Sequence, residues 1–220
     1  MDTKMRSPLD RAPLPCGSDV DLSAGREPTQ MGWYRWIAAQ VHGATVLDVG
    51  AGMCNGLDVF DNATGLDNDP RLFALGDPRL LIGNIGAMPS GSFDVVVCVD
   101  AVEHVIEDWT MIEDMKRVGR KRLFVTTPNR RRSQALNLHH AREYTIASFA
   151  NSFRPHEIWG ASPDGATHHT KLVRRQSEMF DDLVTGESCL HIPLDREYRN
   201  TVDGKCWPHF CAIFNLGGDP

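Results

Sequence analysis

Apolar residues recur at two different spacings along this chain. Trp33, Trp36, Ile37 and Val41 stand at i, i+3, i+4 and i+8, the spacing of one buried helix face, and Gly43 ends the run. Thr45-Val46-Leu47-Asp48-Val49 is then a short apolar stretch stopping in Gly50-Ala51-Gly52-Met53-Cys54-Asn55-Gly56. Similar stretches are Thr64-Gly65-Leu66-Asp67, Leu80-Leu81-Ile82, Phe93–Val99, Arg122–Thr127 and Phe210–Phe214. Phe93–Val99 is continuous and β-branched, which predicts a strand buried on both faces. Asp108 stands where it can cap a helix whose Met111, Ile112, Met115 and Val118 share a face, with Gly119 ending it. Thr145 is placed to cap another, with Ile146, Phe149, Ala150 and Phe153 on one side. Leu172, Val173, Met179, Phe180, Leu183 and Val184 predict a further helix, stopped by Gly186. Strands alternating with helices imply an α/β fold, a doubly wound and mostly parallel sheet covered on both sides. Residues 1–28, with Pro8, Pro13, Pro15 and Pro28 and little periodicity, read as a loose arm before a single domain over 29–220.

Composition narrows the class. The chain has 220 residues, 41% of them hydrophobic and 24% charged, with a net charge of −6. No apolar run approaches the ~20 residues of a membrane span, and the first thirty residues lack a signal-peptide core, so a cytoplasmic location is expected. A chain of this size buries about 70% of its unfolded surface and forms a core without metal or disulfide staples. The six cysteines are scattered and read as free thiols. Cys206, His209 and Cys211 lack a second pair at zinc-finger spacing, and neither His139-His140 nor His168-His169 completes a ligand set; no metal site is expected.

Charge is unevenly spread. Met115–Arg142 holds nine basic residues and no acidic one, so the remainder carries −15. Lys116–Arg122 precedes one strand and reads as a solvated face. Arg130, Arg131 and Arg132 follow that strand, at the edge where an open parallel sheet binds its ligands. Guanidinium groups there suit a phosphate or carboxylate.

Gly50 and Gly52 close a strand where glycine lets a ligand approach the backbone. Asp67 ends the next strand, placed to accept two ribose hydroxyls of an adenosine. A dinucleotide loop needs a third glycine where this chain has Asn55, whereas S-adenosylmethionine, which carries no phosphate, needs two glycines and an acidic residue before them. Asp48 is that residue.

Val46-Leu47-Asp48-Val49-Gly50-Ala51-Gly52 resembles the first motif of class I S-adenosylmethionine-dependent methyltransferases. Gly65–Pro70 is similar to that family's second-strand end. Gly83-Asn84-Ile85, Ser92–Val97, Glu103-His104-Val105, Thr127-Pro128-Asn129 and His140–Thr145 resemble later motifs in the same order, over about residues 30–160. The resemblance implies a seven-stranded sheet whose last strand, Phe210–Phe214, runs antiparallel. It also implies S-adenosylmethionine as cofactor: Gly50, Ala51 and Gly52 line its methionine portion, Asp67 with Asn68 beside it its ribose, and Asn84 and the Ile85 N–H its adenine. Asp100 would lie near the methyl donor. The short stretch from the glycine loop to Asp67 leaves room for only a stubby first crossover helix. The segment 161–208 is read as an insertion shaping the acceptor pocket.

Methyl transfer is an in-line displacement, and a base is needed only for a hydroxyl-type acceptor. His104 is the candidate base, with Glu103 beside it as a second catalytic candidate. Arg130, Arg131, Arg132, His140 and Tyr144 are acceptor-binding candidates. The expected activity is metal-independent transfer to an O or N atom of a small anionic or polyhydroxylated metabolite. One alternative is a nucleotide or nucleic-acid acceptor, disfavoured by a pI near 5.8 and the lack of an aromatic-lined basic groove. Another is a binding protein without turnover, which cofactor binding without product would reveal.

Overall fold

A computed structural model describes residues 28–129, 139–161, 169–172 and 209–217. Within them, the apolar runs become strands β1 (Val46–Val49), β2 (Ala63–Asp67), β3 (Leu80–Ile82), β4 (Phe93–Val99) and β5 (Gly119–Pro128). The helical stripes become α1 (Pro28–Ala38), α2 (Asp108–Val118) and α3 (Ile146–Phe153), and β6 (Glu157–Ala161), β7 (His169–Leu172) and β8 (His209–Asn215) follow. One sheet holds the strands in the order β3-β2-β1-β4-β5-β8-β6-β7. The five strands from β3 to β5 pair in parallel, and β8 runs antiparallel to β5 with Val125 opposite Ala212. β6 is antiparallel to β8, and β7 to β6. The doubly wound, mostly parallel sheet with its antiparallel last strand is therefore present, and β7 adds an eighth strand to the expected seven.

The continuous apolar run of β4 is explained by what lies on each face. Val95, Val97 and Val99 join a core with Trp33 and Ile37 of α1. Val96 and Cys98 join the opposite core, with Ile112 and Met115 of α2 and Phe149 of α3. Each such buried side chain contributes roughly 1.5–3 kcal/mol. A strand clad on both sides has no use for a polar alternation.

Three local expectations meet a different outcome or none. Asp108 is not the cap of α2; Glu107 stands there without a side-chain cap bond. The Asp108 carboxylate turns inward instead, accepting from Trp109 N at 2.7 Å and Arg142 Nε at 2.9 Å, and from the Tyr144 hydroxyl. No stubby helix forms between β1 and β2: residues 52–59 make successive turns, with Cys54 N donating to Ala51 O at 2.8 Å and Leu57 N to Cys54 O at 3.1 Å. The helix expected over Leu172–Val184 lies outside the described residues apart from Leu172, which belongs to β7. So do Arg130–Arg132, most of 161–208, and the arm except Pro28. Thr145 does cap α3, in a reciprocal box with Ser148.

The first half of the basic segment sits at the far end of β4 and β5 from the glycine loop. There Lys116 pairs with Glu113 (2.7 Å), Arg117 with Asp114 (3.0 Å), and Arg120 and Lys121 with Asp94 (3.3 and 3.1 Å). These four charges are met locally. Among the described residues no helix is long and apolar enough to cross a membrane.

Candidate active site

Four parallel strand ends converge on one edge of the sheet. β1 delivers the chain into Gly50, at φ +78°, where an added Cβ would stand 2.5 Å from the Ala101 Cβ. The turn leaving β4 packs directly against this glycine, so the position needs both the left-handed conformation and the missing side chain. Gly50 N and Ala51 N both donate to Leu66 O, at 2.8 and 3.3 Å. Asp67 then clamps the loop: Oδ2 accepts from Gly52 N at 2.9 Å and Oδ1 from Asp69 N at 3.0 Å. Each oxygen keeps a lone pair, and the side chain is only half-buried. Two adjacent acceptors of this kind match the vicinal hydroxyls of a ribose.

Beneath the loop, Asp48 is fully buried. Tyr34 of α1 donates its hydroxyl to Asp48 Oδ2 at 2.9 Å, while Oδ1 has no hydrogen-bond partner among the described residues. Burial pushes the Asp48 carboxyl up to about 7, against the lowering effect of the Tyr34 bond. Gly56 allows this packing, because a Cβ there would meet the Tyr34 ring at 2.2 Å. On the other flank, Asn84 Oδ1 accepts from Gly86 N at 2.8 Å and caps the turn Ile85–Ala87, leaving the exposed amide one acceptor site. Ile85 is buried and Asn68 exposed. The residues predicted to face an adenosine thus stand at neighbouring strand ends along one edge of the sheet.

The exit of β4 builds the second half of the site. Asp100 adopts φ +50°, a conformation that costs a non-glycine residue of the order of 1 kcal/mol or more. Thr126 of β5 holds it there, accepting from Asp100 N at 3.1 Å through Oγ1 and donating that hydroxyl to Asp100 Oδ1 at 2.8 Å. His209 of β8 approaches the same carboxylate, Nδ1 to Oδ1 at 3.6 Å. A short 3-10 turn, Val102–His104, follows. Glu103 is 1% exposed, and burial, then the neighbouring Asp100 charge, raises its carboxyl well above the usual range. Its carbonyl accepts from Ala141 N at 2.8 Å and Arg142 N at 3.1 Å, tying the segment before α3 to this turn. His104 therefore meets that segment: its Nδ1 lies 2.9 Å from His139 O, and its ring stands edge-on to His140 at 4.8 Å. Burial lowers the His104 imidazole below its ordinary value.

Glu103, His104 and His140 are thus brought together, and among the described residues they are the group whose ligand atoms could share a metal ion. Tyr144 is not with them. Its hydroxyl donates to Asp108 and its ring packs on Phe149 and Phe153 at 5.1 and 6.1 Å, so it braces α2 against α3. Arg130–Arg132 lie outside the described residues. Sequence reading missed Tyr34, Thr126 and the approach of His209 to Asp100; each acts through a partner distant in the chain, and no local pattern marks it.

Residues 47–123 match the family model of a methyltransferase domain. No curated protein matches the chain. Solved structures of similar fold include a chain from the Haloferax volcanii complex of the Trm112 methyltransferase activator with a methyltransferase (TM-score 0.59, 13% identity, covering 89% of this chain and 91% of that one). A SAM-dependent methyltransferase from Archaeoglobus fulgidus is also similar (TM-score 0.55, 13% identity, 88% and 96%). So is a SAM-dependent methyltransferase, possible histamine N-methyltransferase, from Thermotoga maritima (TM-score 0.52, 10% identity, 86% and 91%). At such identities the likeness is one of fold.

Proposed function

Because residues 47–123 match a methyltransferase domain and the sheet has the fold of S-adenosylmethionine-dependent methyltransferases, we propose that the chain is a class I enzyme of this kind and methylates an O or N atom of a small anionic or polyhydroxylated metabolite. The observation that supports this most is the pairing of two half-sites along one sheet edge. The Gly50–Gly52 loop clamped by Asp67 is suited to the nucleoside, and Glu103, His104 and His140 gather at the exit of β4, beside it.

When bound, S-adenosylmethionine supplies a methyl group on a sulfonium, activated for displacement. The chain's own residues then have three tasks. Asp67 accepts the ribose hydroxyls and so fixes the adenosine along the edge. Gly50, Ala51 and Gly52 let the amino-acid tail lie against backbone rather than side chains. Asp100, held in its strained conformation by Thr126, separates this half of the crevice from the acceptor half. Positioning the acceptor's lone pair ~3 Å from the methyl carbon is the main source of rate in such a transfer. We assign handling of the acceptor's proton to Glu103 and His104.

An anionic acceptor is inferred from the sequence Arg130–Arg132, which directly follows Asn129 and the end of β5. The test is a metabolite pool incubated with methyl-labelled S-adenosylmethionine. Label in a small acidic or polyol compound is the expected result. Label retained only in nucleic acid, or binding of S-adenosylhomocysteine with no product across the pool, would overturn it.

A further inference from the structure

We propose that Glu103, His104 and His140 bind a divalent transition-metal cation at the acceptor end of the site. One ligand atom from each residue lies within 4.8 Å of the other two. Tetrahedral ligands held about 2.1 Å from a common cation stand about 3.4 Å apart, so closure takes a shift of about 1 Å in the side chains.

Three further features separate this group from a chance cluster. Glu103 Oε2 is buried with no hydrogen-bond partner among the described residues. A carboxylate oxygen left without a donor in the interior is costly, and a cation supplies the missing positive partner. His104 Nδ1 lies 2.9 Å from the His139 carbonyl, which can only accept; the proton is therefore on Nδ1, and Nε2 carries the lone pair. His140 Nδ1 lies 3.2 Å from Glu143 Oε1, so a carboxylate stands beside this ring as well. A carbonyl or carboxylate behind each imidazole is the outer arrangement that orients metal-ligating histidines. The backbone supports it too, since Ala141 N and Arg142 N on Glu103 O hold the two ligand-bearing segments together.

Two imidazoles and one carboxylate suit zinc, cobalt, manganese or iron(II), and not the all-oxygen preference of calcium or magnesium. Three protein ligands leave a coordination position open, as in sites that act on a substrate. The use of that position rests on the methyltransferase reading. An acceptor hydroxyl entering it becomes more acidic and releases its proton to water. Its oxygen pair then forms the bond to the methyl carbon as the carbon–sulfur bond breaks, the pair passing to sulfur. Glu103 and His104 then handle the acceptor's proton as ligands of the cation that acidifies the hydroxyl, and neither takes the proton up itself.

The test uses the full chain stripped by a chelator and titrated with Co²⁺ alone. The expected result is visible d–d absorption saturating at one cobalt per chain, without thiolate charge-transfer absorption, abolished by Zn²⁺ and not by Ca²⁺. His104→Ala and His140→Ala should each weaken binding at least about tenfold, while His42→Ala, on an exposed position, leaves it unchanged. Absence of the d–d bands, thiolate bands in their place, or an affinity in both site variants unchanged from the unsubstituted chain would overturn the proposal. Should the variants fail to fold, the spectrum of the unsubstituted chain decides alone. Calorimetry with S-adenosylhomocysteine on the stripped chain tests the methyltransferase reading separately, so the two failures are distinguishable.

Discussion

At the scale of single residues, two carboxyl groups carry opposite duties. Asp67 holds the Gly52 amide and, in the reading above, the ribose, so Asp67→Ala removes both. Hydrogen bonds to a charged acceptor contribute about 1.5–3 kcal/mol, and S-adenosylhomocysteine should bind roughly 10- to 150-fold more weakly by calorimetry. An unaltered Kd in a folded variant would show that Asp67 does not face the ribose. Asp48 is instead a stored cost. Its folded pKa of about 7 lies above the ordinary 3.8. Below about pH 4 both folded and unfolded chains hold this proton and the group contributes nothing. Between about pH 4 and 7 the unfolded chain loses it while the folded one keeps it, so stability falls by up to about 4 kcal/mol and then levels. Asp48→Asn should erase this dependence: its urea midpoint should exceed wild type near pH 8 and match it near pH 4. Parallel pH curves for the two proteins would refute that account.

Among elements, the turn from β1 into the glycine loop is the most constrained. Gly50 and Gly52 both have positive φ, but a Cβ at Gly50 meets Ala101 at 2.5 Å, whereas at Gly52 the nearest atom is 4.0 Å away. Gly52→Ala should therefore cost the strain alone, about 1 kcal/mol, and Gly50→Ala about 2–5 kcal/mol, because the β4 exit must also move. Equal losses in urea denaturation would mean that the two turns do not pack as described. Elements with their own signal were legible in advance. β4 announced itself by an unbroken β-branched run, α3 by its Thr145 cap, and the loop with Asp67 by spacing within one crossover. β6 and β7 were not: Glu-Ile-Trp-Gly-Ala and His-Thr-Lys-Leu have no clear period, and β6 takes its register from β8, some forty-seven residues further on, and β7 from β6. Asp108 was misread because an aspartate before an apolar stripe is a good cap; its partners, Arg142 and Tyr144, are brought to it only by the fold. Glu103, His104 and His140 were each visible, yet their meeting depends on backbone bonds between segments far apart in sequence.

For the whole molecule, the site and the core are one structure. The loop after β1, Asp67 at the end of β2 and Asp100 at the end of β4 sit on the middle strands of the sheet, which are packed on both faces. A ligand spanning those three ends is bound only while the central sheet is intact, so its binding energy adds to the stability of the entire domain. At a hundred times its dissociation constant a ligand contributes about 2.7 kcal/mol. For a chain of this length that raises Tm by about 5–10 °C. S-adenosylhomocysteine should produce such a shift. NAD should not, because the position where a dinucleotide loop needs its third glycine is Asn55, and the residues after it form turns in place of the helix N-terminus that would meet a pyrophosphate. A thermal scan with both ligands at matched concentration decides the point: a shift with NAD equal to or larger than that with S-adenosylhomocysteine would mean that the crevice is built for a dinucleotide.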